Sequence, residues 1–136
     1  MMAWIEFNPN PYGKRTGDCT VRAFAKAMDL DWDTAYLWIA LEGFIQKSMP
    51  SFNDVWGMAF WRKWFTPYLL PGPCPWCYTV REFAAENPHG TFVLCTGNHV
   101  VTVVDGDWWD SWDSGDEVIT YCFVKEDQDN GVLSDV

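Results

Sequence analysis

The sequence predicts an α+β domain, and three observations carry that reading. Apolar residues in the first half recur at helical spacing, as at Val21, Phe24, Ala25 and Met28. Beyond Thr91 the pattern changes to short β-prone runs, the strongest being Val100-Val101-Thr102-Val103-Val104. Asp105-Gly106 lies between two such runs as a tight hairpin turn. Helices followed by an antiparallel sheet is the α+β order. At 136 residues the chain suits one domain, residues 1–136.

The elements follow in order. Residues 1–17 read as irregular, because Asn8-Pro9-Asn10-Pro11 and Tyr12-Gly13 are turn signals. A helix begins at Cys19, with Asp18 placed to cap it through its carboxylate. A second runs from Asp33 to about Leu41, capped by Asp31 or Asp33 and stopped by Gly43. A third spans Asn53 to Phe65 and ends before Pro67. Leu69 to Trp76, with three prolines and a glycine, is a loop. Thr79-Val80-Arg81-Glu82 is a capping-box pattern for a short helix ending near Asn87-Pro88. Strands follow at residues 91–95, 99–104, 107–112 and 118–124.

Composition excludes some classes. Apolar residues make up 49% and aromatics 18%, so a dense core is expected. Ten Trp exceed what one small core needs. The surplus reads either as aromatic-rich packing or as the lining of a substrate cleft. A net charge of −10 repels phosphate backbones, so nucleic acid is not an expected partner. No secretory signal or membrane-length apolar run is present, so a cytoplasmic setting is expected, without membrane association. Five unevenly spaced cysteines then read as reduced thiols.

One cysteine has a reason to be reactive. Cys19 sits at a predicted helix N-terminus, where partial positive charge favours a thiolate. Its backbone N–H, unpaired within the helix, is free to face an oxyanion. The adjacent Asp18 carboxylate works against ionisation, so a base is required nearby. Two histidines exist. His89 lies in a Pro-His-Gly turn and reads as a surface residue, whereas His99 opens the most β-prone run. Pairing about the Asp105-Gly106 turn puts residue 112 opposite His99 and Asp110 at a diagonal position. A carboxylate there can accept from the imidazole and fix its tautomer. Asp113 competes for the same role, since a bulge would shift the pairing.

The order of Cys at a helix start, His on a strand and Asp on the next strand resembles the papain-like cysteine peptidase superfamily. Asp110-Ser111-Trp112 is similar to the Asn-Ser-Trp of papain-type enzymes, with Asp in place of Asn. Gly17-Asp18-Cys19-Thr20-Val21-Arg22-Ala23, Gly97-Asn98-His99-Val100-Val101 and Val104-Asp105-Gly106 resemble small papain-like domains of bacteriophage and bacterial genomes. The likeness covers residues 8–28 and 91–124. It implies a thiol hydrolase acting on a peptide or protein substrate, with Cys19 as nucleophile, His99 as base and Asp110 as third member. It also implies that Asn8 or Asn10 supplies the oxyanion donor that papain takes from a Gln. There are departures. No Gln lies six positions before Cys19, where Gly13 stands. Cys19 and His99 are 80 positions apart, against about 130–150 in papain-type enzymes. Asp18-Cys19-Thr20 also resembles the Asp-Cys-Ser of NlpC/P60-type peptidoglycan peptidases, and transglutaminase-like domains share the Cys-His-Asp order.

Two further readings stand beside this one. Cys74-Pro75-Trp76-Cys77 resembles a redox or zinc pair, but it follows a Pro-rich loop, and only His89, Cys95, Cys122 or the proposed catalytic pair could complete a four-ligand site, so no metal or cofactor is expected. Cys95 and Cys122 lie in strands and read as core. The acidity and the surplus Trp also fit a non-catalytic phage or bacterial binding module that blocks a host protein, or a virion-associated protein, on the same fold.

Overall fold

The first helix, α1 (Cys19–Met28), forms where the apolar periodicity places it and buries Val21, Phe24 and Ala25. The computed structural model describes residues 2–47, 61–68 and 78–126. Within them lie β1 (Trp4–Glu6), α1, α2 (Trp32–Gln46), β2 (Thr66–Pro67), α3 (Val80–Glu86), β3 (Thr91–Cys95), β4 (Val100–Val104), β5 (Asp107–Asp110) and β6 (Tyr121–Val124). The architecture is α+β. One sheet runs in the order β1-β5-β4-β3-β6-β2 among the described residues.

Each face of the sheet carries its own core, as the period-2 alternation of strands requires. Val93, Val100 and Phe123 pack with Phe24, Ala35 and Ile39 of α1 and α2 on one side. Leu94, Val101, Val103 and Trp108 pack with Val80 and Phe83 of α3 on the other. The β4–β5 hairpin closes on Asp105-Gly106, with Val104 opposite Asp107, the predicted register. Both turn residues have positive φ, Asp105 at 49° and Gly106 at 87°, as a type I′ turn needs. The Thr79 capping box is present: Glu82 N–H donates to Thr79 Oγ1 at 3.2 Å, and Thr79 N–H donates to Glu82 Oε1 at 2.9 Å.

Several expectations are corrected. The first 17 residues are not wholly irregular, because Trp4–Glu6 pairs with β5, and does so in parallel. The sheet is therefore mixed, not purely antiparallel. Three residues are too few to display an alternation, and their partners lie near the other end of the chain. Gly43 does not stop α2. It is buried inside a helix that continues to Gln46 and ends at Lys47, which takes the left-handed conformation at φ 54°. A mid-helix glycine costs about 1 kcal/mol, which tertiary packing can offset. Asp31, one of the two expected caps, accepts from Thr34 N–H at 2.7 Å. β5 ends at Asp110 rather than at residue 112, and β6 begins at Tyr121 rather than at 118. Val118 makes only an isolated bridge with Thr79. Thr66–Pro67 adds an unexpected edge strand beside β6, where a proline is tolerated. Most of the predicted third helix, the Pro-rich loop and the Cys74/Cys77 pair lie outside the described residues. No helix among the described residues is long and apolar enough to cross a membrane.

Candidate active site

Three element ends meet at one end of the sheet. α1 begins at Cys19, β4 begins just after His99, and β5 finishes at Asp110. Antiparallel pairing makes the start of β4 and the finish of β5 neighbours. α1 is fastened above β4 by the buried Thr102 hydroxyl, which donates to Ala23 O at 2.7 Å. The turn before β4 is fixed too, since Thr96 N–H donates to His99 O at 2.8 Å.

The side chains converge accordingly. His99 Nε2 lies 2.5 Å from Asp110 Oδ2, both groups buried. That leaves Nδ1 free of Asp110, and Cys19 and His99 lie close enough for each to shift the other's ionisation. Asp113, the competing third member, is turned elsewhere and accepts from Trp108 Nε1 at 2.9 Å and Gly115 N–H at 3.0 Å. The Trp112 ring lies against His99, with centroids 4.9 Å apart.

The electrostatics favour a thiolate–imidazolium pair. Burial alone would raise the Cys19 pKa. The hydrogen bond and positive charge of His99, the Val100 N–H and the Arg22 charge outweigh it and bring the thiol below its ordinary value. Burial likewise opposes charge on His99. The Asp110 hydrogen bond, seconded by Cys19 and the charges of both, lifts it to about 9. Burial would raise Asp110 as well, but His99, Ser114 and Arg22 hold it below the usual carboxylate range. The other described cysteines contrast with Cys19. Burial pushes Cys95 up to about 12 and Cys122 higher still, so neither is a nucleophile near neutral pH.

Asp18 departs from its expected role. Its side chain makes no cap. It is buried and accepts from Arg22 Nη1 at 2.5 Å and from Trp32 Nε1 at 2.9 Å. The carboxylate expected to oppose the thiolate is therefore countered by a guanidinium. Arg22 Nη2 also reaches Asp110 Oδ1 at 3.0 Å. Ser114 Oγ donates to Asp110 Oδ2 at 2.6 Å and Ser111 N–H donates to Oδ1 at 2.8 Å. Sequence reasoning assigned no role to Arg22 or Ser114. One signal was available: Arg22 lies four residues after Asp18, the spacing of a helical ion pair.

Asn8 and Asn10 serve the loop that bears them. Asn8 Nδ2 donates to Gly13 O at 3.4 Å and Lys14 O at 3.3 Å, and Asn10 Oδ1 accepts from Tyr12 N–H at 2.8 Å. Asn10 also lines a cleft of about 510 Å³ with Gly17, Asp18, Val21, Trp32 and Tyr36. The Trp32 and Tyr36 rings stack there, centroids 5.2 Å apart. His89 is exposed, as expected. Among the described residues no group of three or more His, Cys, Asp or Glu is arranged to hold a metal ion. Comparison of the chain with protein-family models, with curated proteins and with solved structures returned no match.

Proposed function

We propose that the protein is a papain-like cysteine hydrolase that cleaves a peptide, isopeptide or related amide bond. The observation that carries this reading is the convergence of a helix-start thiol, a buried histidine and a buried carboxylate in which only Cys19, of the described thiols, is shifted toward the thiolate.

The chemistry follows from the proton positions. The Cys19 thiolate adds to the carbonyl carbon, and a C–S bond forms as the oxygen takes negative charge. The Cys19 backbone N–H, in the first turn of α1, is placed to donate to that oxygen. Neither asparagine is assigned the second donor, because both are bonded within their own loop and the cleft that Asn10 lines includes neither Cys19 nor His99. The His99 imidazolium gives its proton to the departing amine as the C–N bond breaks, leaving a thioester on Cys19. Neutral His99 then takes a proton from water, which adds to the thioester carbonyl. The C–S bond breaks, and thiolate and imidazolium are restored. Asp110 holds the ring by Nε2 throughout, leaving Nδ1 to exchange the proton.

The test is selective alkylation. At pH 6, limiting iodoacetamide or a peptidyl vinyl sulfone is expected to label Cys19 ahead of every other cysteine, read by peptide mapping. His99→Ala is expected to abolish the preference. In parallel, turnover of a pool of fluorogenic peptide amides is expected to vanish in Cys19→Ser. Uniform labelling of the cysteines, unchanged in His99→Ala, would overturn the proposal.

A further inference from the structure

Arg22 is 5% exposed and its guanidinium lies between two buried carboxylates. Nη1 reaches Asp18 Oδ1 at 2.5 Å and Nη2 reaches Asp110 Oδ1 at 3.0 Å. One carboxylate precedes Cys19 in the chain, and the other holds His99. We propose that Arg22 is a positioning residue of this site: it fixes the Asp110 carboxylate against His99 and cancels the Asp18 charge at the base of the nucleophile. This rests on the hydrolase reading above.

The geometry explains why an arginine stands there. Asp110 must present one oxygen to His99 Nε2, so its carboxylate plane cannot rotate. Oδ2 is occupied by His99 and Ser114, and Oδ1 is held by Arg22 and the Ser111 N–H. Removing the guanidinium frees one side of that clamp. It also leaves Asp18, whose second oxygen is tied to Trp32, as a buried carboxylate without a counter-ion. Lysine is a point charge and cannot satisfy both partners, whereas the planar fork of arginine can. Among the described residues, the titratable and charged groups around Cys19 are Asp18 just before its helix, Arg22 on it, Cys95 at the end of β3, His99 before β4 and Asp110 at the end of β5. Two carboxylates and one guanidinium leave a single negative charge for the imidazolium to balance. Without Arg22 there are two, and the thiolate is the group they repel.

The test follows the rate of Cys19 alkylation by iodoacetamide against pH, which needs no hydrolytic substrate. Arg22→Met is expected to raise the midpoint by about one pH unit and to slow alkylation at pH 6 about tenfold. Asp18→Asn alone is expected to lower the midpoint, and Asp18→Asn combined with Arg22→Met to recover at least half of the Arg22→Met shift. Arg22→Lys keeps the charge, so its midpoint stays near wild type. Its His99 ring titration, followed by NMR, moves down because Asp110 is held less firmly. A folded Arg22→Met with a wild-type midpoint overturns the proposal. So does an Asp18→Asn midpoint that stays or rises, a result that does not depend on Arg22→Met folding. An ordinary thiol midpoint for wild-type Cys19 overturns the hydrolase reading first, and this proposal with it. A low wild-type midpoint that is insensitive to Arg22 and Asp18 overturns this proposal alone.

Discussion

His99 holds a proton at a pH where a free histidine would have lost it. Burial should make the charged ring harder to keep, so the 2.5 Å contact with Asp110 must outweigh desolvation for its pKa to reach about 9. Asp110→Asn keeps the shape and one hydrogen bond but removes the charge. It is expected to lower the His99 midpoint by at least about one unit, measured by NMR of the ring protons. At pH 6 it should slow Cys19 alkylation about tenfold, since less imidazolium faces the thiol. Asp113→Asn, at a carboxylate bound instead to Trp108, is expected to change neither. Equal effects from the two substitutions would reassign the third member. At this scale, much of the site is legible in the sequence. Residue types and the hairpin centre pointed to Cys19, His99 and Asp110, because a two-residue turn fixes which residues lie opposite. Asp18 was misread because a cap and an ion pair demand the same side chain in the same place. The choice between them depended on where Arg22 and Trp32 would be buried, which is a tertiary matter.

The segment after β5 acts as one element of the site. It leaves the sheet at Asp110 and returns Ser114 Oγ to the Asp110 carboxylate. Gly115 allows that return. A Cβ there would meet Trp108 Cζ2 at 2.8 Å and Arg81 Nη2 at 2.9 Å. Arg81 is half exposed and can move, but Trp108 is buried in the core and cannot. Gly115→Ala is therefore expected to destabilise the protein by about 1–3 kcal/mol in urea unfolding. It should also weaken Cys19 alkylation at pH 6 by displacing Ser114. Ser114→Ala is expected to reproduce the second effect with little of the first. Unchanged stability in Gly115→Ala would mean that the loop, not the core, yields. Elements of this kind were the least legible. The Thr79 capping box and the β3 bounds could be read locally, because caps and alternation are local chemistry. β1 and the extension of α2 past Gly43 could not, because each owes its existence to partners distant in sequence.

Across the whole molecule the buried charges make stability depend on pH in a way that separates the two halves of the pair. His99 is raised from 6.5 to about 9. Its contribution is complete below pH 6.5 and is lost as pH rises through about 9. Cys19 is lowered from 9.0. Its contribution is complete above about pH 9 and is lost as pH falls through the folded value. Between the folded Cys19 value and the folded His99 value the two contributions run in opposite directions with pH, so the wild-type dependence is shallower than that of a protein lacking one of them. Asp110, lowered, adds a contribution that is present above the unfolded carboxylate range and disappears only as pH falls through its folded value, outside this window. Cys95 and Cys122 are raised by burial, so the unfolded chain ionises first and an alkaline loss begins near pH 9. That loss is common to any variant that keeps both thiols. Cys19→Ser removes one member of the opposing pair and leaves His99 held by Asp110. Its unfolding free energy is expected to fall by about 1–3 kcal/mol between pH 6 and pH 8.5, a steeper fall than in wild type. His99→Gln in the Cys19→Ser background should abolish that fall, since neither member of the pair then titrates. Urea midpoints at pH 6, 7.2 and 8.5 for the three proteins measure this directly. Parallel slopes in all three would mean that Cys19 and His99 do not exchange charge in the folded state, and the thiolate–imidazolium pair would be lost as the basis of the site.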